Sequence, residues 1–225
     1  MNYRDFQPAK TSRIRENIEW SISYSFNATD KTTPRVLLIG DSICNGYQGK
    51  VREKLSDRAN ITFWASSKCV TDPDYFRELE FILDGGEFAF ISFNNGLHSL
   101  STDLSEWEIA YDAAVRFIMA KKPTSKLVLT LSTSLNDKAK TERSKRLNGI
   151  VTELAKKYKL EIIDLFTPTD SLDKDTEMAD VYHFKAPAVE MQAEIIVSTI
   201  DRILELKHGD NIQKATETGA NGRED

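Results

Sequence analysis

Short apolar runs separated by longer amphipathic stretches set the rhythm of this chain. Five runs, at 36–39, 61–65, 88–93, 127–131 and 162–165, are rich in Val, Ile, Leu or Phe and nearly continuous. Continuous runs of this length read as strands buried on both faces of a parallel sheet. Between and after them, apolar residues recur at helical spacing: Val51 and Leu55 within 47–58, Phe76, Leu79 and Leu83 within 75–83, and Trp107, Tyr111, Ala114, Val115 and Ile118 within 104–120. The same spacing holds for Leu147, Ile150, Val151 and Leu154 within 140–158, and for Val189, Ile195, Ile196, Ile200 and Ile203 within 187–206. Strands alternating with helices predict βαβ crossovers and a doubly wound α/β fold.

The ends of the chain read differently. Ile14, Ile18 and Ile22 recur every four residues and predict a helix over 11–24, with Trp20 off that row. Residues 27–34, "NATDKTTP", form a polar linker. The pattern thus divides the chain into an N-terminal helix and linker packed on the domain (1–34), a main domain (35–206) and a polar tail (207–225) without apolar periodicity, expected to be disordered.

Composition narrows the function classes. The chain has 225 residues, 40% hydrophobic and 29% charged, which suits one globular domain with a full core. A net charge of −5 gives no support to nucleic-acid binding. The basic stretch "KAKTERSKR" (138–146) reads as a solvated helix face. No apolar run approaches the ~20 residues that span a bilayer, and no membrane association is expected. The first twenty residues contain no apolar signal-peptide core, so the cytoplasm is the expected location. Two cysteines, Cys44 and Cys69, make no disulfide framework, and no Cys/His cluster has zinc spacing. No metal and no organic cofactor are expected.

In open α/β sheets, sites lie at the carboxyl ends of the strands. The first predicted strand ends in "IGDSI", residues 39–43. Such a turn can bind phosphate, cap a helix or present a nucleophile. The glycines that follow, Gly46 and Gly49, fit neither a dinucleotide fingerprint nor a P-loop, which disfavours a flavodoxin-like nucleotide or flavin protein. Asp41 and Ser42 are both good N-cap residues. A serine nucleophile needs a base, and the base an orienting group. Of the three histidines, His208 lies in the tail, His98 on a predicted strand-end loop, and His183 just before the last long helix. Asp180 precedes His183 by three residues, a spacing that in a turn brings a carboxylate onto one imidazole nitrogen.

"IGDSI" followed far downstream by "DVYH" (180–183) resembles the SGNH, or GDSL-type, ester hydrolases, over about residues 35–205. The resemblance implies a three-layer α/β/α sandwich with a five-stranded parallel, flavodoxin-like sheet. It also implies Ser42 as nucleophile, His183 as base and Asp180 as its orienter. Two family blocks are altered. The second usually supplies a glycine N–H to the oxyanion. Here "WASSKCVTDP" (64–73) has no glycine, and Cys69, or else Lys68, takes that place. The third is usually Gly–x–Asn–Asp. Here Gly96–Leu97–His98–Ser99 puts His98 where the asparagine stands, as in a branch of these hydrolases and in related carbohydrate O-acylesterases. The expected oxyanion donors are Ser42 and Cys69 through their backbone, with His98 or Asn95 through the side chain. Asp41, Lys68, Asn94, Ser132 and Thr133 are the expected substrate contacts. The expected activity is hydrolysis of a short acyl ester, first of all an acetyl ester of a carbohydrate. The altered blocks also fit a non-catalytic carbohydrate-binding protein on the same fold.

Overall fold

The computed structural model describes residues 2–9 and 11–205. After a 3-10 turn at Tyr3–Asp5 and an irregular arm, the elements run β1 (Ser21–Ser25), β2 (Arg35–Gly40), α1 (Ser42–Lys54), β3 (Asn60–Ser66), α2 (Tyr75–Asp84) and β4 (Phe90–Phe93). They continue through α3 (Leu104–Lys121), β5 (Lys126–Thr130), α4 (Lys138–Tyr158) and β6 (Glu161–Ile163). Two short helices, α5 (Phe166–Asp170) and α6 (Lys174–Glu177), precede α7 (Ala186–Leu204). The tail expected at 207–225, with His208, lies outside the described residues.

All five predicted strands are present and parallel, and side chains alternate across the sheet. Leu37, Ile39, Trp64, Ile91 and Phe93 face the cluster built with α2, α3 and α4. Val36, Leu38, Phe63, Phe90 and Val128 face the cluster built with α1 and α7. Helices on both faces make the three-layer sandwich. The strand order is β1-β3-β2-β4-β5-β6. Read without β1, it is the flavodoxin-like order, with the chain reversing direction between β2 and β4. The loops after β2 and β4 therefore flank the crevice where such sheets bind ligands.

The sixth strand corrects the N-terminal expectation. Residues 11–20 are irregular and β1 pairs antiparallel with β3, Ser21 opposite Ser66 and Ser25 opposite Thr62. The physical reason is in the spacing. A four-residue repeat is also a multiple of two, and the apolar residues Ile18, Trp20, Ile22, Tyr24 and Phe26 all occupy even positions. Period two is the strand signal, and Ile14 and Ile18, supposed to form a buried helical row, are 83% and 72% exposed. The antiparallel sense has a consequence for the site: β1 begins where β3 ends. Residues 11–20 are delivered to the carboxyl edge of the sheet.

The turn from β2 into α1 is tight. Gly40 passes so close to α1 that a Cβ there would lie 2.6 Å from Cys44 Cβ. Asp41 caps α1, its Oδ1 accepting from the N–H of Ile43 at 2.9 Å. Gly40→Ala is expected to push α1 off β2 and to cost about 1–3 kcal/mol, the usual penalty of overpacking. Urea denaturation checks this; a midpoint equal to that of the wild type would contradict the close approach.

Candidate active site

Ser42 is the first residue of α1, held at the carboxyl end of β2 by the tight turn and the Asp41 cap. Its backbone N–H lies in the first turn, where helical N–H groups have no intrahelical acceptor. Its Oγ is 2.8 Å from His183 Nε2. His183 Nδ1 is 2.8 Å from Asp180 Oδ2. A carboxylate accepts only, so Nδ1 carries a proton toward Asp180, and a neutral ring presents bare Nε2 to the serine hydroxyl. The three side chains meet although the serine and histidine are 141 residues apart in sequence.

The loop that carries His183 is pinned at several points. Asp180 Oδ1 accepts from the N–H groups of Tyr182 at 2.7 Å and His183 at 2.8 Å, which turns the chain back on itself. The Ala179 N–H donates to the His183 carbonyl, and Met178 bridges Phe184. Pro187 then opens α7. Burial works against charge on Asp180, but the bonds from the His183 ring and from the two N–H groups outweigh it and hold its pKa down at about 2. Because this lies below the value of an unfolded carboxylate, ~3.9, the pairing stabilises the fold above that range. The contribution is lost as pH falls through about 2. Near neutral pH, Asp180 is therefore a carboxylate.

Ser42 and His183 open onto a cleft of about 460 Å³, also lined by Glu16, Trp20, Leu97, His98 and Tyr182. That volume suits a small ligand. His98 is in the 3-10 turn Leu97–Ser99 after β4. Its Nδ1 is 2.6 Å from Glu16 Oε1, and the Trp20 ring meets its ring edge-on, with centroids 5.9 Å apart. Its Nε2 is enclosed and has no hydrogen-bond partner in the protein.

The other expected site residues go elsewhere. The Cys69 N–H donates to Asp72 Oδ2 at 2.9 Å, and the Lys68 N–H donates to Ser66 Oγ at 3.1 Å, so neither is free for an oxyanion. Cys69 Sγ is buried among the hydroxyls of Thr71, Ser99 and Thr102, with no base beside it. Lys68 Nζ turns to Glu78 and Asp74. Asn95 is consumed by the scaffold: its Oδ1 accepts from the Val70 N–H at 2.9 Å and its Nδ2 donates to the Lys68 carbonyl at 2.8 Å. Asp41, Asn94, Ser132 and Thr133 line a second space of about 10 Å³, too small for substrate. Asn94 Nδ2 donates to the Thr130 carbonyl and to Ser132 Oγ. Ser132 also packs against Gly96, where a Cβ would fall 1.7 Å from Ser132 Oγ. Asp41, Asn94 and Ser132 thus support the turns that carry Ser42 and His98. Cys44, next but one to Ser42, is buried, and burial pushes its thiol up to about 12.

Glu16 and Trp20, both outside the expected set, form the N-terminal wall of the cleft, and the buried Arg13 fastens the arm that carries them. Arg13 forms ion pairs with Asp72 and Glu19, donates from Nη2 to the Ser67 carbonyl at 2.7 Å, and from Nε to the His98 carbonyl at 3.2 Å. It thereby ties the arm to the loop after β3 and the turn after β4. Burial pushes the Asp72 carboxyl up, against the Cys69 N–H bond and the Arg13 charge. Removing the guanidinium would strand buried carboxylates. Arg13→Met is expected to cost on the order of 3–5 kcal/mol, read as a lowered denaturation midpoint. A loss below about 1 kcal/mol, as for a surface pair, would remove Arg13 from this role.

No protein-family model and no curated protein sequence matches the chain. Solved structures do match its fold. An acetyl xylan esterase, AlAXEase, superposes with a TM-score of 0.63 at 17% identity, over 74% of this chain and 99% of that one. A member of the lipolytic G-D-S-L family from Veillonella parvula gives 0.64 at 15% identity, over 76% and 100%. A catalytic mutant of Axe2, an acetylxylan esterase from Geobacillus stearothermophilus, gives 0.59 at 15% identity, over 79% and 98%. At these identities the likeness is one of fold: the chain has the SGNH-type α/β/α sandwich.

Proposed function

We propose that this protein is a serine ester hydrolase acting on short acyl esters, first of all acetyl esters of carbohydrates. One observation carries the reading: the hydrogen-bonded series Ser42–His183–Asp180, with its serine end open to a cleft. His183 takes the Ser42 proton as Oγ attacks the ester carbonyl, and Asp180 steadies the imidazolium that forms. The Ser42 N–H, at the positive end of α1, donates to the carbonyl oxygen as it becomes negative. His183 then returns its proton to the departing alcohol, and water repeats the sequence to free the acid. The resident side chains supply every proton transfer. The modest cleft favours a short acyl group, and the aromatic wall of Trp20 and Tyr182 suits the apolar faces of a sugar ring. The structural neighbours AlAXEase and Axe2 are acetyl xylan esterases, which favours the same substrate class.

An oxyanion donor contributes on the order of 3 kcal/mol. With the Cys69 N–H and the Asn95 amide both engaged, His98 is the remaining candidate for a second donor, in the place the family gives to asparagine.

Ser42→Ala is expected to lower acetate release from p-nitrophenyl acetate and acetylated xylo-oligosaccharides by at least about 10³-fold, with an unchanged melting temperature. Equal rates for the two proteins would take Ser42 out of the reaction. Asp180→Asn is expected to fall by a comparable factor, because an amide no longer fixes the imidazole tautomer. Wild-type activity in that variant would remove Asp180 as the orienter.

A further inference from the structure

Beside the cleft lies a groove of about 880 Å³, and each wall of the cleft leads to it. The arm gives Glu16 to the cleft and Ser12 to the groove. The chain after β4 gives Leu97 and His98 to the cleft and residues 100–104 to the groove. The His183 loop meets it through Tyr182, whose ring lies 6.0 Å from Lys140 Nζ. The N-terminal half of α4 supplies the remaining wall, where Lys140, Arg143 and Arg146 recur every three residues. The carboxylates of this groove are already committed. Asp103 caps α3, Asp137 caps α4 and pairs with Lys140, and Glu142 pairs with Lys145. The arginines are not. Arg143 is half-buried and donates from Nη2 to the Thr102 carbonyl. Among the described residues it forms no ion pair, and its Nη1 and the whole Arg146 guanidinium have no hydrogen-bond partner. Burial works against the charge of Arg143, Arg146 adds to that, and Asp103 offsets them only in part.

We propose that Arg143 and Arg146 form a subsite for an anionic group, a carboxylate or a phosphate, carried by the substrate on a sugar beside the one that bears the ester. This rests on the ester-hydrolase reading of the adjoining cleft and narrows its substrate class to an acetylated acidic carbohydrate. Guanidinium groups suit such an anion because their planar N–H donors match its paired oxygens. The first turn of α4 holds no acidic residue, so the positive end of its dipole adds to the attraction. Lys140, beside Tyr182, marks the passage from cleft to groove, and Arg146 lies about 9 Å further along α4. That separation places the anion on a neighbouring sugar. Lys138 and Lys145 are exposed and keep to the solvated face read from the sequence, whereas Arg143 and Arg146 line the groove.

The test compares kcat/KM of the full chain on three substrates: a neutral acetylated xylo-oligosaccharide, the same oligosaccharide with a glucuronic acid branch beside the acetylated sugar, and one with a phosphate ester there. The wild type is expected to favour a charged substrate over the neutral one by at least about 10-fold, through KM rather than kcat. The preference is expected to shrink with added sodium chloride. Whichever charged substrate gives the larger ratio identifies the anion. Arg146→Gln, at an exposed position, and Arg143→Gln are each expected to bring the ratio toward one, and Arg146→Lys to retain part of it. A wild-type ratio near one for both charged substrates, a ratio that survives Arg146→Gln, or turnover of p-nitrophenyl acetate but of none of the oligosaccharides would each overturn the proposal and leave the ester-hydrolase reading standing. No wild-type turnover of any ester would remove that reading, and the proposal with it.

Discussion

Everything at this site depends on one hydrogen bond, from the Ser42 hydroxyl to His183 Nε2 at 2.8 Å. The bond requires two loops from distant parts of the chain to reach the same edge of the sheet. A parallel sheet provides that edge, because all five parallel strands end on one side. The reversal of strand order between β2 and β4 opens the crevice there. The approach of Gly40 to Cys44 sets the serine at the start of α1. The Asp180 turn, with two backbone N–H groups on one carboxylate oxygen, sets the imidazole.

The second half of the cleft is built from the other end of the chain. Because β1 runs antiparallel to β3, the arm before it crosses the carboxyl edge, and Arg13 fastens it there through groups of three different segments. A buried guanidinium is stable only among such acceptors. The cost of burying it is offset by pinning the loop after β3, the turn after β4 and the arm in one arrangement. Glu16 and Trp20 reach the cleft as a result.

The five parallel strands, the long helices α1, α2, α3, α4 and α7 and the convergence of Ser42, Asp180 and His183 were legible in the sequence because each signal is local, whereas α5 and α6 are too short to show a period. A strand end followed by Gly–Asp–Ser, an Asp three residues before a His, and helical periodicity need no knowledge of distant partners. The N-terminal arm was misread because Ile14, Ile18 and Ile22 satisfy two periods at once, and only Trp20 and Tyr24 break the tie. Two of the expected oxyanion donors, Cys69 and Asn95, proved to be engaged elsewhere, for another reason. Whether the Cys69 N–H is free depends on Asp72 folding back onto it, and whether the Asn95 amide is free depends on Val70 and Lys68. Nothing in the residue types announces those bonds. Glu16 carried no signal at all, since its partner lies 82 positions away.

The most direct measurement is covalent labelling with a fluorophosphonate, which reacts with a serine only where a base activates it and donors stabilise the adduct. The account predicts one probe per chain, found by peptide mass spectrometry on Ser42 and blocked when His183 is replaced by alanine. A folded protein that takes up no probe, or that carries it on another residue, would contradict it.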